Sequence, residues 1–255
     1  MARNLLLDAN MSEPSYLTGP KGHRLAYHQT AGQGPGVVFL GGYRSDMTGT
    51  KALALQDWAL ARGRAFLRFD YSGHGQSGGD FNGLGIGDWF ADARAALALT
   101  EGKQVLVGSS MGGWIALLLA RAMPEKVAGL VGIAAAPDFT EELERSLSAA
   151  ERVDMAARGY IQRPSAYADF PYVYSAKLIE QGQENLILRS PLDLPFPVRF
   201  LQGSADEDVP QAVAERLFAH ATGPDIRLTV VKGADHRFSA PECLRLIERA
   251  VEEVS

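Results

Sequence analysis

Hydrophobic residues along this chain fall into short, largely β-branched runs that alternate with longer stretches of helical periodicity. Short apolar runs of this kind predict buried parallel strands. The predicted strands are 37–40, 66–70, 104–107, 127–135, 198–201 and 226–231. The predicted helices are 45–62, 88–99, 113–123, 209–221 and 241–254, and Asp88 is expected to cap the second of them. Residues 24–28 alternate like an outer antiparallel strand, and 31–36 is expected to be a loop.

Strands that alternate with helices imply a mostly parallel central sheet with helices on both faces. We therefore expect an α/β fold, with residues 1–255 forming a single domain. The glycine-rich loops after the strands then fall at the carboxyl ends of the sheet, where folds of this class bind their ligands.

The alternation is interrupted over 137–195, which we expect to be a small helical cap inserted over the sheet. Residues 140–158 are charged and helical in pattern, and 175–181 is a second predicted helix. The stretch between them is rich in aromatic residues and proline, and contains Tyr160, Tyr167, Phe170, Tyr172 and Tyr174. These tyrosines are expected either to line an acyl or aryl pocket or to pack the cap onto the loops beneath it.

Composition excludes several classes of partner. The net charge of -5 gives no positive field for nucleic acid or anionic lipid. No apolar run is long enough for a membrane helix, so we expect no membrane span. The single cysteine, Cys243, rules out an intrachain disulfide and indicates a reducing compartment; we expect it to be buried filler rather than a reactive thiol.

The strongest chemical signal is the sequence Gly108-Ser109-Ser110-Met111-Gly112, a G-x-S-x-G pattern between a predicted strand and a predicted helix. At such a sharp turn the central serine takes a strained backbone conformation, and flanking glycines let the strand and helix approach each other. The turn lifts the Ser110 hydroxyl above the sheet edge at the positive end of the helix. We predict Ser110 to be a nucleophile; the alternative is an ordinary tight turn.

A serine nucleophile needs a base, because its hydroxyl barely ionises near neutral pH. Of the five histidines, His236 lies in a loop after the last predicted strand, at the end of the sheet that carries Ser110. We predict His236 as the base. His74, in a glycine-rich loop at the same end, is the second candidate, and is otherwise expected to be solvated or at the edge of the substrate site.

The base in turn needs a carboxylate that fixes its tautomer. Asp206 follows the predicted strand 198–201 and is our candidate for the acid. Asp208 is the alternative, although it suits an N-cap of the next helix better. Glu207 and Asp235 are expected to be solvated loop charges.

Two backbone N–H groups are needed to hold the oxyanion. We predict the N–H of Met111, directly after the nucleophile, and the N–H of Tyr43, after the double glycine Gly41-Gly42. The alternative is that the double glycine only makes a tight turn.

The chain order Ser110, Asp206, His236 is that of an α/β-hydrolase triad. The whole chain resembles that superfamily, and 68–77 is similar to its loop after the fourth strand. Segments 42–54, 107–114, 121–127 and 235–237 resemble the mitochondrial abhydrolase-domain family of palmitoyl-protein thioesterases and acyl-glucuronide esterases. The resemblance implies the α/β-hydrolase fold, the same triad, and hydrolysis of S-acyl cysteine or acyl esters. Gly41 departs from the Pro or His common in relatives.

We therefore expect a serine hydrolase of acyl esters or thioesters that uses no cofactor and no metal. The expected partner is a small-molecule ester or an S-acylated substrate. Because residues 1–10 do not read as a signal peptide or a mitochondrial presequence, we expect a cytoplasmic protein. Two alternatives stay open: hydrolysis of an amide or C–C bond on the same triad, and a catalytically silent binding protein. The oligomeric state is left open.

Overall fold

The computed structural model describes residues 13–164 and 171–255. The strands are β1 (Ser15–Thr18), β2 (Arg24–Thr30), β3 (Gln33–Leu40), β4 (Arg64–Phe69), β5 (Gln104–Ser109), β6 (Val127–Ile133), β7 (Tyr160–Arg163), β8 (Tyr172–Ser175), β9 (Leu192–Asp193), β10 (Val198–Gly203), β11 (Ala221–Thr222) and β12 (Ile226–Val231). Eight of them form one sheet in the order β1-β2-β4-β3-β5-β6-β10-β12. Strand β2 pairs antiparallel with β1 and with β4, and the remaining pairs in the sheet are parallel. The predicted, mostly parallel sheet is confirmed.

Helices cover both faces of this sheet. They are α1 (Thr50–Ala61), α2 (Ile86–Leu97), α3 (Met111–Ala122), α4 (Phe139–Arg145), α5 (Ala149–Arg158), α6 (Ala176–Glu184), α7 (Gln211–His220) and α8 (Pro241–Glu253). Successive residues of β3 point to opposite faces, as the strand geometry requires. Val38 packs in a core cluster with residues of α2 and α3, whereas Val37 packs in a second cluster with residues of α1 and α8.

Strand β5 and helix α3, which follow one another in the chain, are both apolar because both are buried. Every residue of β5 is buried, because the strand lies between two parallel neighbours under helices on both faces. Helix α3 is buried from Met111 to Ala120, so its apolar residues surround the helix instead of forming one stripe. This helix ends at Ala122, and Pro124 follows, as a helix stop requires.

The segment 137–195, which we call the insert, has more elements than predicted. The single helix expected over 140–158 is two helices, α4 and α5, because the Ser148 hydroxyl accepts the Glu151 N–H and starts a new helix with a capping box. The aromatic stretch contains a hairpin of β7 and β8. Leu143, Ile161 and Leu178 of the insert pack in the same cluster as the core of the sheet.

Three smaller predictions are wrong. Residues 31–36 are not all loop, since β3 begins at Gln33. Helix α2 begins at Ile86 with Gly85 at its N-cap, so Asp88 lies inside the first turn, where its carboxylate accepts the Gly85 N–H and pairs with Lys21. Helix α7 begins at Gln211, two residues later than expected.

The predictions for residues 1–10, and those for Tyr167 and Phe170, lie outside the residues that the structure describes.

Candidate active site

Ser110 stands on the sharp turn between β5 and α3, with φ 54° and ψ -119°. A residue with a side chain rarely adopts a positive φ, and such strain is typical of a nucleophile elbow. The two glycines of the motif are required by space: a Cβ on Gly108 would lie 2.3 Å from the Gly112 carbonyl oxygen, and one on Gly112 would lie 2.1 Å from the Leu40 carbonyl oxygen. The turn therefore depends on these glycines.

The structure brings the three predicted side chains into one hydrogen-bonded row. The Ser110 Oγ lies 3.2 Å from the His236 Nε2, and the His236 Nδ1 lies 2.9 Å from the Asp206 Oδ2. Asp206 and His236 follow β10 and β12, which pair in parallel with Gly203 opposite Val231, so the two loops leave the sheet side by side. Neighbouring strands thus place the carboxylate next to the imidazole.

The Asp206 side chain is fully buried and satisfied. Its Oδ1 accepts the N–H groups of Asp208 and Val209, at 3.0 and 2.8 Å, and its Oδ2 accepts the Gln202 Nε2 at 3.0 Å. These three donors and the His236 ring hold the carboxylate in one orientation. A carboxylate only accepts hydrogen bonds, so the His236 Nδ1 carries the proton and Nε2 is the nitrogen that accepts from the serine hydroxyl.

The loop that carries His236 is anchored on both sides. Phe238 is completely buried, and its N–H donates to the Asp235 Oδ1 at 3.1 Å. From α1, the Lys51 Nζ donates to the Arg237 carbonyl oxygen. Burial lowers the pKa of the Lys51 ammonium to about 8, with Asp235 acting in the opposite direction. No short-range pattern predicts the Lys51 contact, because 186 residues separate Lys51 from Arg237.

The alternative candidates, Asp208 for the acid and His74 for the base, do not lie in this hydrogen-bonded row. Asp208 is exposed, and Pro210 rather than Asp208 is at the N-cap of α7, so the predicted capping role is wrong. His74 is buried, not solvated, and its ring nitrogens lie 3.2 Å from the Ser72 carbonyl oxygen and 3.3 Å from the Arg44 nitrogen. Glu207 and Asp235 are exposed, as expected.

In the part of the chain that the structure describes, Asp206, Asp208 and His236 are the one group whose oxygen and nitrogen atoms could converge on a metal ion, all within 4.8 Å of one another. The donor atoms of Asp206 and His236 are already engaged with each other, with Ser110 and with backbone N–H groups. These atoms form a row of hydrogen bonds from Ser110 through His236 to Asp206.

Cavities open on two sides of the Ser110 hydroxyl. On one side the wall is largely aromatic and apolar, lined by Tyr43, Met111, Ala136, Phe139, Tyr172, Tyr174 and Val209. On the other side the wall also touches Tyr43 and Tyr172, and it includes the polar side chains of Ser45, Asp46, Thr50, Lys51 and Arg237. We call them the aromatic cavity and the polar cavity.

Both expectations for the tyrosines of the insert apply to two of them. Tyr172 and Tyr174 line the aromatic cavity, and their rings also pack on Tyr43, which stacks on Tyr174 at 5.5 Å between ring centroids. The Tyr43 hydroxyl donates to the Val173 carbonyl oxygen in β8. Burial raises the pKa of Tyr174 to about 12. The contact between Tyr43 and the insert is a feature of the site that sequence reasoning missed.

Comparison with known proteins agrees with this architecture. Residues 37–252 match the model of the alpha/beta hydrolase family. The palmitoyl-protein thioesterase ABHD10 of Rattus norvegicus, a mitochondrial protein, is 36% identical over 243 residues, which cover 94% of this chain and 82% of that protein. The human protein of the same name is 33% identical over 243 residues, covering 94% of this chain and 79% of that protein.

Solved structures give the same result. A putative hydrolase from Agrobacterium vitis superposes with a TM-score of 0.91 at 40% identity, covering 95% of this chain and 98% of that one. Mouse alpha/beta hydrolase domain-containing protein 10 superposes with a TM-score of 0.87 at 34% identity, with the same coverage of 95% and 98%.

The expected cytoplasmic location is wrong in the light of these relatives, whose names describe them as mitochondrial. That expectation relied on the pattern of residues 1–10 and on the single cysteine, and a cysteine count reports on redox conditions without distinguishing one reducing compartment from another. Among the described residues, no helix has the length and apolar character needed to cross a bilayer.

The chain is an enzyme of the hydrolase class. It belongs to the alpha/beta hydrolase family and, within that family, groups with the ABHD10 proteins.

Proposed function

We propose that the protein is a serine hydrolase that cleaves carboxylic esters and thioesters through an acyl-enzyme on Ser110. The observation that carries the proposal is the hydrogen-bonded row from the Ser110 Oγ through His236 to Asp206, at 3.2 and 2.9 Å, on a strained turn. The names of the ABHD10 relatives, palmitoyl-protein thioesterases, support an S-acylated substrate or a related acyl ester.

In the first half of the reaction, the Ser110 Oγ attacks the acyl carbonyl carbon while the His236 Nε2 takes the hydroxyl proton. The oxyanion of the tetrahedral intermediate is held by the N–H groups of Met111 and Tyr43. Met111 supports this role because it is the first residue of α3, where N–H groups have no partner within the helix. When the intermediate collapses, the bond to sulfur or oxygen breaks and His236 protonates the leaving group where needed.

In the second half, water attacks the acyl carbon and gives its proton to His236. The second tetrahedral intermediate uses the same two N–H groups, and its collapse releases the carboxylic acid and returns the proton to Ser110. Throughout, Asp206 stabilises the imidazolium form of His236 without itself taking the proton.

The two cavities suit the two parts of such a substrate. We assign the acyl group to the aromatic cavity, since Phe139 and Val209 provide apolar surface next to Ser110. The leaving group then occupies the polar cavity, beside Lys51 and Arg237. In this assignment the insert acts as a cap, because Tyr172 and Tyr174 of β8 cover the acyl side.

The direct test is the Ser110→Ala variant, assayed with p-nitrophenyl butyrate and with an acyl thioester. We expect kcat to fall by about 10⁴-fold or more, because the nucleophile is lost and only binding and oxyanion stabilisation remain. Ser109→Ala, which removes the neighbouring hydroxyl, should keep most of the activity.

Full turnover by Ser110→Ala would contradict the proposal. A folded wild-type protein that fails to react with a fluorophosphonate probe would instead favour a silent binding protein. A series of thioesters and oxyesters of increasing acyl length, with aryl amides as a third class, then identifies the preferred bond.

A further inference from the structure

We propose that His74 is a positioning residue that holds the oxyanion loop, residues 41–49, in its catalytic conformation. The proposal rests on the function proposed above, in which the Tyr43 N–H binds the oxyanion. His74 lies in the loop after β4 and acts through the peptide group that follows Tyr43.

The hydrogen bonds of the His74 ring fix its tautomer. The Nδ1 lies 3.2 Å from the Ser72 carbonyl oxygen, which can only accept, so Nδ1 carries the proton. The same carbonyl accepts the Trp89 Nε1–H at 3.1 Å. The Nε2 is therefore an acceptor, and it faces the Arg44 N–H at a nitrogen–nitrogen distance of 3.3 Å. The imidazole ring thus connects two loops by one bond on each nitrogen.

The Arg44 N–H belongs to the peptide group that links Tyr43 to Arg44. Arg44 has φ 55°, in the left-handed region that residues with side chains rarely adopt. A strained residue keeps such a conformation only when its surroundings hold it there. Because the bond from His74 acts on the peptide next to Tyr43, it sets the orientation of Tyr43 and, through it, the direction of the proposed oxyanion donor.

Burial of the His74 ring keeps its Nε2 unprotonated, so that this nitrogen accepts a hydrogen bond. His74 is 3% exposed, and its ring packs against Tyr71, Phe81 and Trp89 at 5.0 to 5.5 Å between centroids. Burial lowers the pKa of His74 to about 4; the charge of Arg44 acts in the same direction, whereas the Ser72 carbonyl and Asp46 act against it. The imidazole is therefore neutral at neutral pH.

The other end of the oxyanion loop has separate anchors. The Met47 N–H donates to the Asp70 Oδ1 at 2.6 Å, and the Met47 carbonyl oxygen accepts the Arg68 Nη1 at 3.0 Å. These bonds hold the loop three residues beyond Arg44. His74 holds the peptide directly after Tyr43, so its loss should disturb the oxyanion donor while the rest of the loop stays attached.

The test compares His74→Phe, which keeps an aromatic ring but has no acceptor, with His74→Gln, whose side-chain carbonyl can reach the position of Nε2. We expect His74→Phe to lower kcat for p-nitrophenyl butyrate by about tenfold to a hundredfold, with KM nearly unchanged, since a misplaced oxyanion donor affects the transition state and not the ground state. His74→Gln should restore most of kcat.

A second readout separates positioning from general damage to the fold. A trifluoromethyl ketone forms a tetrahedral oxyanion on the serine, whereas the matching non-fluorinated ketone binds without reacting. In His74→Phe the affinity for the first should fall in proportion to kcat, and the affinity for the second should not change. Rates are expressed per active site, counted with a fluorophosphonate.

An unchanged kcat in His74→Phe, or an equal loss of affinity for both ketones, would overturn the proposal. If that variant does not fold, His74→Gln is compared with His74→Asn, whose shorter side chain reaches only the position of Nδ1. Equal activity of these two variants would also overturn it. Failure of the proposed function is recognised separately, by a wild-type enzyme that does not hydrolyse the ester or by an active Ser110→Ala variant.

Discussion

At the scale of single residues, two neighbouring carboxylates behave differently because their surroundings differ. Asp206 is buried and accepts bonds from two backbone N–H groups, from Gln202 and from His236. Asp208 is exposed, and its backbone N–H donates to Asp206. The local sequence Asp206-Glu207-Asp208 offers three acidic groups, and only the folded loop selects one of them.

This difference predicts the effect of Asp206→Asn. The backbone N–H groups would keep the amide oxygen on their side, so the amide NH₂ would face the His236 Nδ1 and force the proton onto Nε2. A protonated Nε2 cannot accept from Ser110, so kcat for an acyl ester should fall by about 10⁴-fold. Asp208→Asn is the matched control, and an equally large loss there would show that the acid has been assigned to the wrong residue.

The lowered pKa of His74 also predicts how the free energy of unfolding depends on pH. Its pKa is about 4 in the folded protein and about 6.5 when unfolded, so between these values the unfolded state binds more protons. The free energy of unfolding should therefore decrease as the pH falls from 6.5 to 4, by at most about 3 kcal/mol from this residue.

The measurement is urea unfolding of wild type and His74→Gln at pH 7 and pH 5. The wild type should lose more of its unfolding free energy than the variant over this interval. Arg44 and Asp46, the charged groups that face the ring, are present in both proteins and cancel in the comparison. Parallel losses would mean that His74 does not titrate in this way.

At the scale of elements, Tyr43 links the oxyanion loop to the hairpin of β7 and β8. Its ring lies 5.0 to 6.1 Å, centroid to centroid, from those of Phe81, Tyr172 and Tyr174, and its hydroxyl donates to the Val173 carbonyl. The wall of the aromatic cavity and the proposed oxyanion donor are thus parts of one packed unit. We therefore expect the proposed acyl binding against β8 and the proposed stabilisation of the oxyanion to be coupled through this side chain.

Tyr43→Phe tests the coupling, since it removes the hydroxyl and keeps the ring. The Val173 carbonyl loses its partner, at a cost of about 1–3 kcal/mol to the attachment of the hairpin. We expect faster amide hydrogen exchange in β7 and β8 and a several-fold lower kcat/KM for acyl esters. Tyr160→Phe is the control, because that hydroxyl accepts from the Arg158 Nη2 at an exposed position. Unchanged exchange in Tyr43→Phe would argue against the coupling.

At the scale of the whole molecule, the sheet order determines which loops meet. Ser110 follows the central strand β5, and the acid and base follow β10 and β12 at one side of it. Because all three strands are parallel, their carboxyl ends lie at one edge of the sheet. At the opposite edge, the start of β6 packs against the end of α8.

The packing at that opposite edge predicts the effect of Gly129→Ala on the stability of the whole molecule. A Cβ on Gly129 of β6 would lie 2.1 Å from the Val254 carbonyl oxygen, so Gly129→Ala must push the last turn of α8 away from the sheet. We expect the free energy of unfolding to fall by about 1–3 kcal/mol, as is usual for overpacking, with kcat at 25 °C preserved. Thermal unfolding measures the effect. Gly83→Ala, whose Cβ meets nothing closer than 4.0 Å, is the control, and equal melting temperatures would contradict the packing argument.

Short-range patterns in the sequence were sufficient for β2 and the parallel strands of the main sheet, for most helices and for the turn at Ser110, but not for β1, β9 and β11. A buried parallel strand and a G-x-S-x-G turn are both encoded by residues next to one another, and parallel strands bring their carboxyl ends together whatever the loop lengths. The choice of Asp206 and His236 as partners of Ser110 followed from this rule. The hairpin of the insert did not, because it depends on pairing within an aromatic stretch. The break between α4 and α5 is marked by the local capping box of Ser148 and Glu151, which the prediction of one helix over 140–158 overlooked.

Only the tertiary structure decided contacts between residues far apart in the chain. The burial of His74 beside Arg44, the Lys51 bond behind His236 and the Tyr43 bond to Val173 span 30, 186 and 130 residues. Such contacts leave no periodic signal in the sequence, because each depends on how whole elements pack. The sequence by itself thus determined the fold class and the candidate reacting groups, whereas packing decided how those groups are held.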